Sequence, residues 1–126
     1  MAAQRILVIE DEPAARDALG SLLAEEGYEV CTAETGAQGL ECLRDFRPDT
    51  VVCDFHLPDI NGLQILRQVR SAFKDAIVFI FITAASGGDE AERVLRREAD
   101  FFFRKPLDLS SFRRALQGPP PRLGAA

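Results

Sequence analysis

The chain has 126 residues, enough for one ordinary domain whose core needs neither disulfides nor a structural metal. Fifteen Lys and Arg against twenty Asp and Glu leave a formal charge of −5 without long single-sign runs, which argues against direct binding to nucleic acid or anionic lipid. Cys31, Cys42 and Cys53 form no C-x-x-C pair, so neither a disulfide framework nor a zinc site is suggested.

From the N-terminus, where no basic-then-apolar secretion signal stands, the first regular element is a β-branched apolar run over 6–9 that ends in Glu10-Asp11-Glu12-Pro13. This is the pattern of a buried strand entering a helix with Pro near its first turn. Ala15, Ala18, Leu19, Leu22 and Leu23 then recur at helical spacing, and Gly27 stands where a left-handed C-terminal cap is wanted. A second strand is expected over 28–32, and a helix from Gly36 that keeps Leu40 and Leu43 on one side until Pro48. Val51, Val52 and Cys53 make a third strand, 57–62 a loop, and Leu63, Leu66, Val69 and Phe73 a helical stripe.

The longest apolar run, 76–82, supplies a fourth strand at 77–82 and is too short to cross a bilayer, so a soluble cytoplasmic protein is expected. A fourth helix over about 89–97, with Ala91, Val94 and Leu95 inward, precedes a fifth strand at 101–104. Leu109, Phe112 and Leu116 mark a short last helix, stopped by Gly118 and the run Pro119-Pro120-Pro121. The expected organisation is one domain over 1–117 and a Pro-rich tail or linker over 118–126.

Apolar strands alternating with helices imply an α/β fold, a doubly wound five-stranded parallel sheet covered on both faces by five helices. Ligands in such sheets gather beyond the carboxyl ends of the strands. Strand one ends in Glu10 and Asp11, strand three in Asp54, strand four in Thr83 and strand five in Lys105. Three carboxylates drawn together repel by roughly 4 kcal/mol per pair at about 4 Å and an effective dielectric near 20, so a cation is required. Oxygen donors with few protein ligands favour Mg2+, held by Asp11 and Asp54 directly, by Glu10 through water and by the backbone carbonyl of His56. Thr83 and Lys105 could then share the charge of a transferred phosphoryl group, with Asp54 as its nucleophile. Taken singly, Asp11 reads better as a helix cap and Asp54 as a turn residue after a strand; the joint pattern favours the acidic pocket.

These residues resemble the receiver domains of bacterial response regulators over 5–116. The resemblance is carried by Glu10-Asp11, by Val51-Val52-Cys53-Asp54 followed by Leu57-Pro58-Asp59 and Asn61-Gly62, by Thr83-Ala84 and by Lys105-Pro106. It implies the flavodoxin-like strand order 2-1-3-4-5, a chemotaxis receiver being the stock example of that order. It also implies phosphorylation of Asp54 by a sensor histidine kinase or phosphotransfer protein, with no catalysis beyond the domain's own phosphorylation and dephosphorylation. Thr83 and Phe102 would act as switch residues that alter the surface of the fourth helix, fifth strand and fifth helix for an output domain or target protein. A cis bond between Lys105 and Pro106 and a tuning role for His56 and Ala85 are implied as well.

The sequence departs from the family at Glu98-Ala99-Asp100, where Gly-Ala-Asp is usual, and at Phe101, which replaces an acid that pairs subunits in one subfamily. The departure at Phe101 speaks against dimers of that subfamily's type, although Leu109, Phe112, Arg113 and Leu116 could support another phosphorylation-dependent dimer. The alternative is a receiver-like interaction module that is never phosphorylated. A haloacid-dehalogenase-type phosphatase would need an acid where His56 stands, and a flavin protein would need Gly, Ser or Thr in place of the acids after the first strand.

Overall fold

The computed structural model describes residues 4–84 and 90–117. Within them the chain alternates strand and helix: β1 Arg5–Ile9, α1 Pro13–Glu25, β2 Glu29–Ala33, α2 Gly36–Phe46, β3 Thr50–Asp54, α3 Gly62–Phe73, β4 Val78–Thr83, α4 Glu90–Glu98, β5 Phe101–Arg104 and α5 Leu109–Gln117. All strands pair in parallel in the order β2-β1-β3-β4-β5, the expected doubly wound sheet. The expected positions at Asp89 and Ala85, the side chains of Ala91 and Leu95, and the tail from Gly118 lie outside the described residues.

Strand alternation divides the core into two layers. Leu7, Ile9, Val51, Cys53, Phe79 and Phe81 point toward α2 and α3, where Leu43, Ile65, Leu66 and Val69 meet them. Ile6, Val8, Val52, Ile80 and Ile82 point the other way, onto Leu19 and Leu23 of α1 and Phe112, Ala115 and Leu116 of α5. The aromatic triplet of β5 obeys the same rule: Phe101 and Phe103 join the α1/α5 layer and Phe102 the opposite one.

Several boundaries differ from the sequence reading for identifiable reasons. Strand β2 begins at Glu29 because the Tyr28 N–H is spent on the Leu23 carbonyl, closing α1 at 3.2 Å, with Gly27 at φ +96° in the left-handed turn. Strand β4 begins at Val78 because the Ile77 carbonyl accepts from the Arg70 guanidinium at 2.9 Å. Of the α1 stripe, Leu19 and Leu23 are buried. Ala15, Ala18 and Leu22 instead face a cavity of about 440 Å³ that Pro106, Leu107 and Leu109 line from the α5 side. Gly62 opens α3 where an added Cβ would run into the Phe81 ring, so the loop after β3 must turn tightly against β4.

Candidate functional site

Register brings the polar groups to one rim. Ile9 pairs with Cys53, Asp54 with Ile82 and Thr83 with Arg104, so the residue after β1, the last residues of β3 and β4 and the residue after β5 lie side by side. The Lys105 N–H donates to the Thr83 carbonyl at 2.8 Å, which sets the two chain segments in place, and the Lys105–Pro106 bond is cis. Thr83 itself is buried.

Glu10, Asp11 and Asp54 each place a carboxylate oxygen within 4.8 Å of the other two. Glu10 is 0% exposed and Asp54 5%. The Lys105 ammonium bridges them, donating to Glu10 Oε1 at 2.6 Å and to Asp54 Oδ2 at 3.0 Å. The second oxygen of each acid is also used: Glu10 Oε2 accepts from the Glu12 N–H at 3.2 Å and Asp54 Oδ1 from the His56 N–H at 3.0 Å. Asp11 is exposed, and its carboxylate accepts no hydrogen bond from the described residues. It is not the cap of α1; Glu12 is, accepting from the N–H groups of Ala14 and Ala15.

The electrostatics follow from crowding and burial. Burial raises the Glu10 carboxyl above its ordinary value, helped by the Asp54 charge and opposed by Lys105 and the Glu12 N–H. Burial would lower Lys105, but the hydrogen bonds and charges of Glu10 and Asp54 outweigh it and hold the ammonium above its ordinary value. One ammonium against three acids leaves the cluster acidic. Oxygen donors alone, with Asp11 uncommitted and Glu10 already bonded through both oxygens, form a set that fits a hard divalent ion with Glu10 in an indirect place.

His56 lies at the rim with its side chain exposed and its ring edge-on to Phe55 at 4.8 Å. Phe102 does not enter the carboxylate cluster. Partly buried, it lies under two guanidinium groups, Arg96 at 4.8 Å and Arg104 at 5.7 Å from the ring centroid.

Asp59 is the contact that sequence reading left without a role. Its carboxylate crosses from the β3–α3 loop to accept from the Gly36 and Ala37 N–H groups, both at 2.8 Å, at the start of α2. Against some desolvation, those donors hold its carboxyl below the usual range. The partners are 23 and 22 positions apart, so no local motif announces them. Asp59→Ala should lower stability by roughly 1 kcal/mol, the scale of a lost helix cap, as measured by urea unfolding. It should also speed amide exchange at Gly36 and Ala37 more than in the rest of α2.

Residues 6–117 match the response regulator receiver domain, and the chain belongs to that family. It is 37% identical over 102 residues to the transcriptional regulatory protein AfsQ1 of Streptomyces coelicolor, covering 81% of this chain and 44% of that protein. It is 36% identical over 105 residues to the response regulator MprA of a Mycobacterium species, covering 83% and 45%. The chain thus spans less than half the length of these relatives. Among solved structures it is similar to the response regulator TrrA of Thermotoga maritima in complex with Mg2+ and BeF, with a TM-score of 0.78 and 33% identity over 90% of this chain and 96% of that one. It is also similar to a CheY-like receiver domain from Methanospirillum hungatei, with a TM-score of 0.83 and 25% identity over 91% of each chain. Residues 6–117 are therefore a phosphoacceptor receiver domain of the two-component type, a signalling module. No helix among the described residues is long and apolar enough to cross a membrane.

Proposed function

We propose that Asp54 is the phosphoacceptor of this domain, and that the observation carrying the assignment is the Lys105 ammonium lodged between Asp54 and Glu10. One oxygen of Asp54 is oriented by the His56 N–H and the other by Lys105. The carboxylate attacks phosphorus, the bond from phosphorus to the donor's imidazole nitrogen breaks, and the imidazole, already protonated on its other ring nitrogen, leaves neutral with the electron pair of the broken bond. Lys105 and the Thr83 hydroxyl then face the oxygens of the transferred group. Mg2+ would be held by Asp11, Asp54 and the His56 carbonyl, with Glu10 acting through water, and supplies positive charge against the phosphoryl oxygens.

The same reading makes Thr83 and Phe102 the switch pair. Inward movement of Phe102 would have to break its contacts with Arg96 and Arg104, so the two surface states differ in how those arginines are presented. The donor is a sensor histidine kinase or phosphotransfer protein, the recipient an output domain or target protein, and the setting the cytoplasm. The receiver unit is 1–117, with 118–126 a tail or linker; Phe112 and Leu116, which the sequence offered to a pairing patch, are buried against the sheet, so a phosphorylation-dependent dimer would have to use other residues. The domain catalyses its own phosphorylation and dephosphorylation. Incubation with a small phosphodonor and Mg2+, followed by intact mass and peptide mapping, should give one base-labile phosphoryl group on the peptide containing Asp54. No uptake where a control receiver is labelled, or uptake on another peptide, overturns the assignment.

A further inference from the structure

The three cysteines, whose spacing suggests neither a disulfide framework nor a zinc site, divide in the structure. Cys53 is buried in β3, whereas Cys31 of β2 and Cys42 of α2 are partly buried and meet, Sγ to Sγ, at 3.1 Å. We propose that Cys31 and Cys42 are an oxidant-responsive pair that closes to an intramolecular disulfide on exposure to a peroxide or a low-molecular-weight disulfide, stapling α2 to the edge strand.

The geometry leaves little to rearrange. A disulfide needs its sulfurs about 2.05 Å apart, so a closing movement of about 1 Å suffices, within reach of small side-chain rotations. Cys31 is fixed in the sheet by its register opposite Leu7, and Cys42 rides on the helix that packs against β1 and β2 beside buried Leu43. The residues are 11 positions apart in one strand–helix unit, so closure spans a short loop and moves no distant element.

The chemistry needs only the touching pair. Burial, the shared hydrogen bond with Cys31 and the acids Asp45 and Glu41 push the Cys42 thiol up to about 12. With a peroxide, the thiolate of one cysteine attacks one oxygen and the O–O bond breaks, giving a sulfenic acid and hydroxide, which takes the proton that thiol gave up and leaves as water. The other sulfur next attacks the sulfenic sulfur; the S–S bond forms, the S–O bond breaks, and the departing hydroxide takes the second thiol's proton as a second water. Two thiols lose two electrons and two protons, and one peroxide becomes two waters. With glutathione disulfide the products are the same bridge and two molecules of glutathione.

The bridge is independent of phosphoryl chemistry at Asp54, and its test does not involve that site. The purified chain is treated with hydrogen peroxide or glutathione disulfide, quenched, denatured, alkylated and weighed. The number of alkylated cysteines should fall from the full three to one, with a peptide map joining Cys31 to Cys42 and full recovery after dithiothreitol. The thermal midpoint should rise by about 5–10 °C on oxidation, as expected for a short closed loop. In Cys31→Ala and Cys42→Ala no bridge should form and the remaining member of the pair should go no further than a sulfenic acid or a glutathione adduct, while in Cys53→Ala both thiols should disappear into the bridge. In the wild type, three reactive thiols after treatment, a bridge that includes Cys53 or a second chain, or a sulfinic acid or glutathione adduct at Cys31 without the bridge would each overturn the proposal.

Discussion

Asp54→Asn should take up no phosphoryl group from a donor that labels the wild type, and in metal-free buffer it should also be the more stable protein. The first effect follows because the amide has no nucleophilic oxygen anion, although its carbonyl can still accept the His56 N–H and its volume is unchanged. The second comes from counting charges. Asp54 faces two like charges, Glu10 and Asp11, and one opposite charge, Lys105 at 3.0 Å. At an effective dielectric near 20 each repulsion across 4.8 Å or less is worth roughly 3.5 kcal/mol or more and the 3.0 Å attraction roughly 5.5 kcal/mol, so removing two repulsions and one attraction is a net gain of about 1–2 kcal/mol. Urea unfolding measures it. A destabilised variant would mean that the acids at this rim do not repel.

Lys105→Ala should slow phosphorylation by roughly 100-fold, the scale of losing one preorganised positive group at developing phosphoryl charge. It should also destabilise the fold by about 3 kcal/mol at neutral pH, because Glu10 is left buried with only the Glu12 N–H for company. The pH dependence has two opposite parts. Glu10 binds its proton more tightly folded than unfolded, so its ionisation weakens the fold as pH rises through the carboxylate range and above it; acid removes the penalty. Lys105 also has a raised value, so its stabilisation is whole below the ordinary lysine value and disappears as pH climbs through the folded one. The deficit of Lys105→Ala against wild type should therefore shrink at low pH and again at strongly alkaline pH. A deficit that is flat with pH would assign the loss to packing of the lysine stem.

The strands were legible because parallel strands covered on both faces are apolar throughout: β1 and β3 announce themselves, and the polar residue after each is conspicuous for that reason. Helix starts were legible where capping is local, as at Pro13. The identity of the α1 cap was less so, because Asp11 and Glu12 are chemically interchangeable in sequence and only backbone geometry selects Glu12. The α1 stripe reads as one apolar face, yet Ala18 and Leu22 of that face border a cavity, since periodicity gives the direction of a side chain and not what lies opposite it. The Asp59 link to α2, the Cys31–Cys42 contact and the arginines over Phe102 all join separate elements. Each depends on tertiary placement that spacing alone does not encode.

Lys105 and Glu10 are 95 positions apart along the chain. A polypeptide emerging from the ribosome therefore carries its acids long before their counter-charge, and until the last strand docks Glu10 and Asp54 lack the ammonium that joins them. On the proposed reading, a fragment ending before β5 would be slowed at least as much as Lys105→Ala, however much of the sheet it had formed.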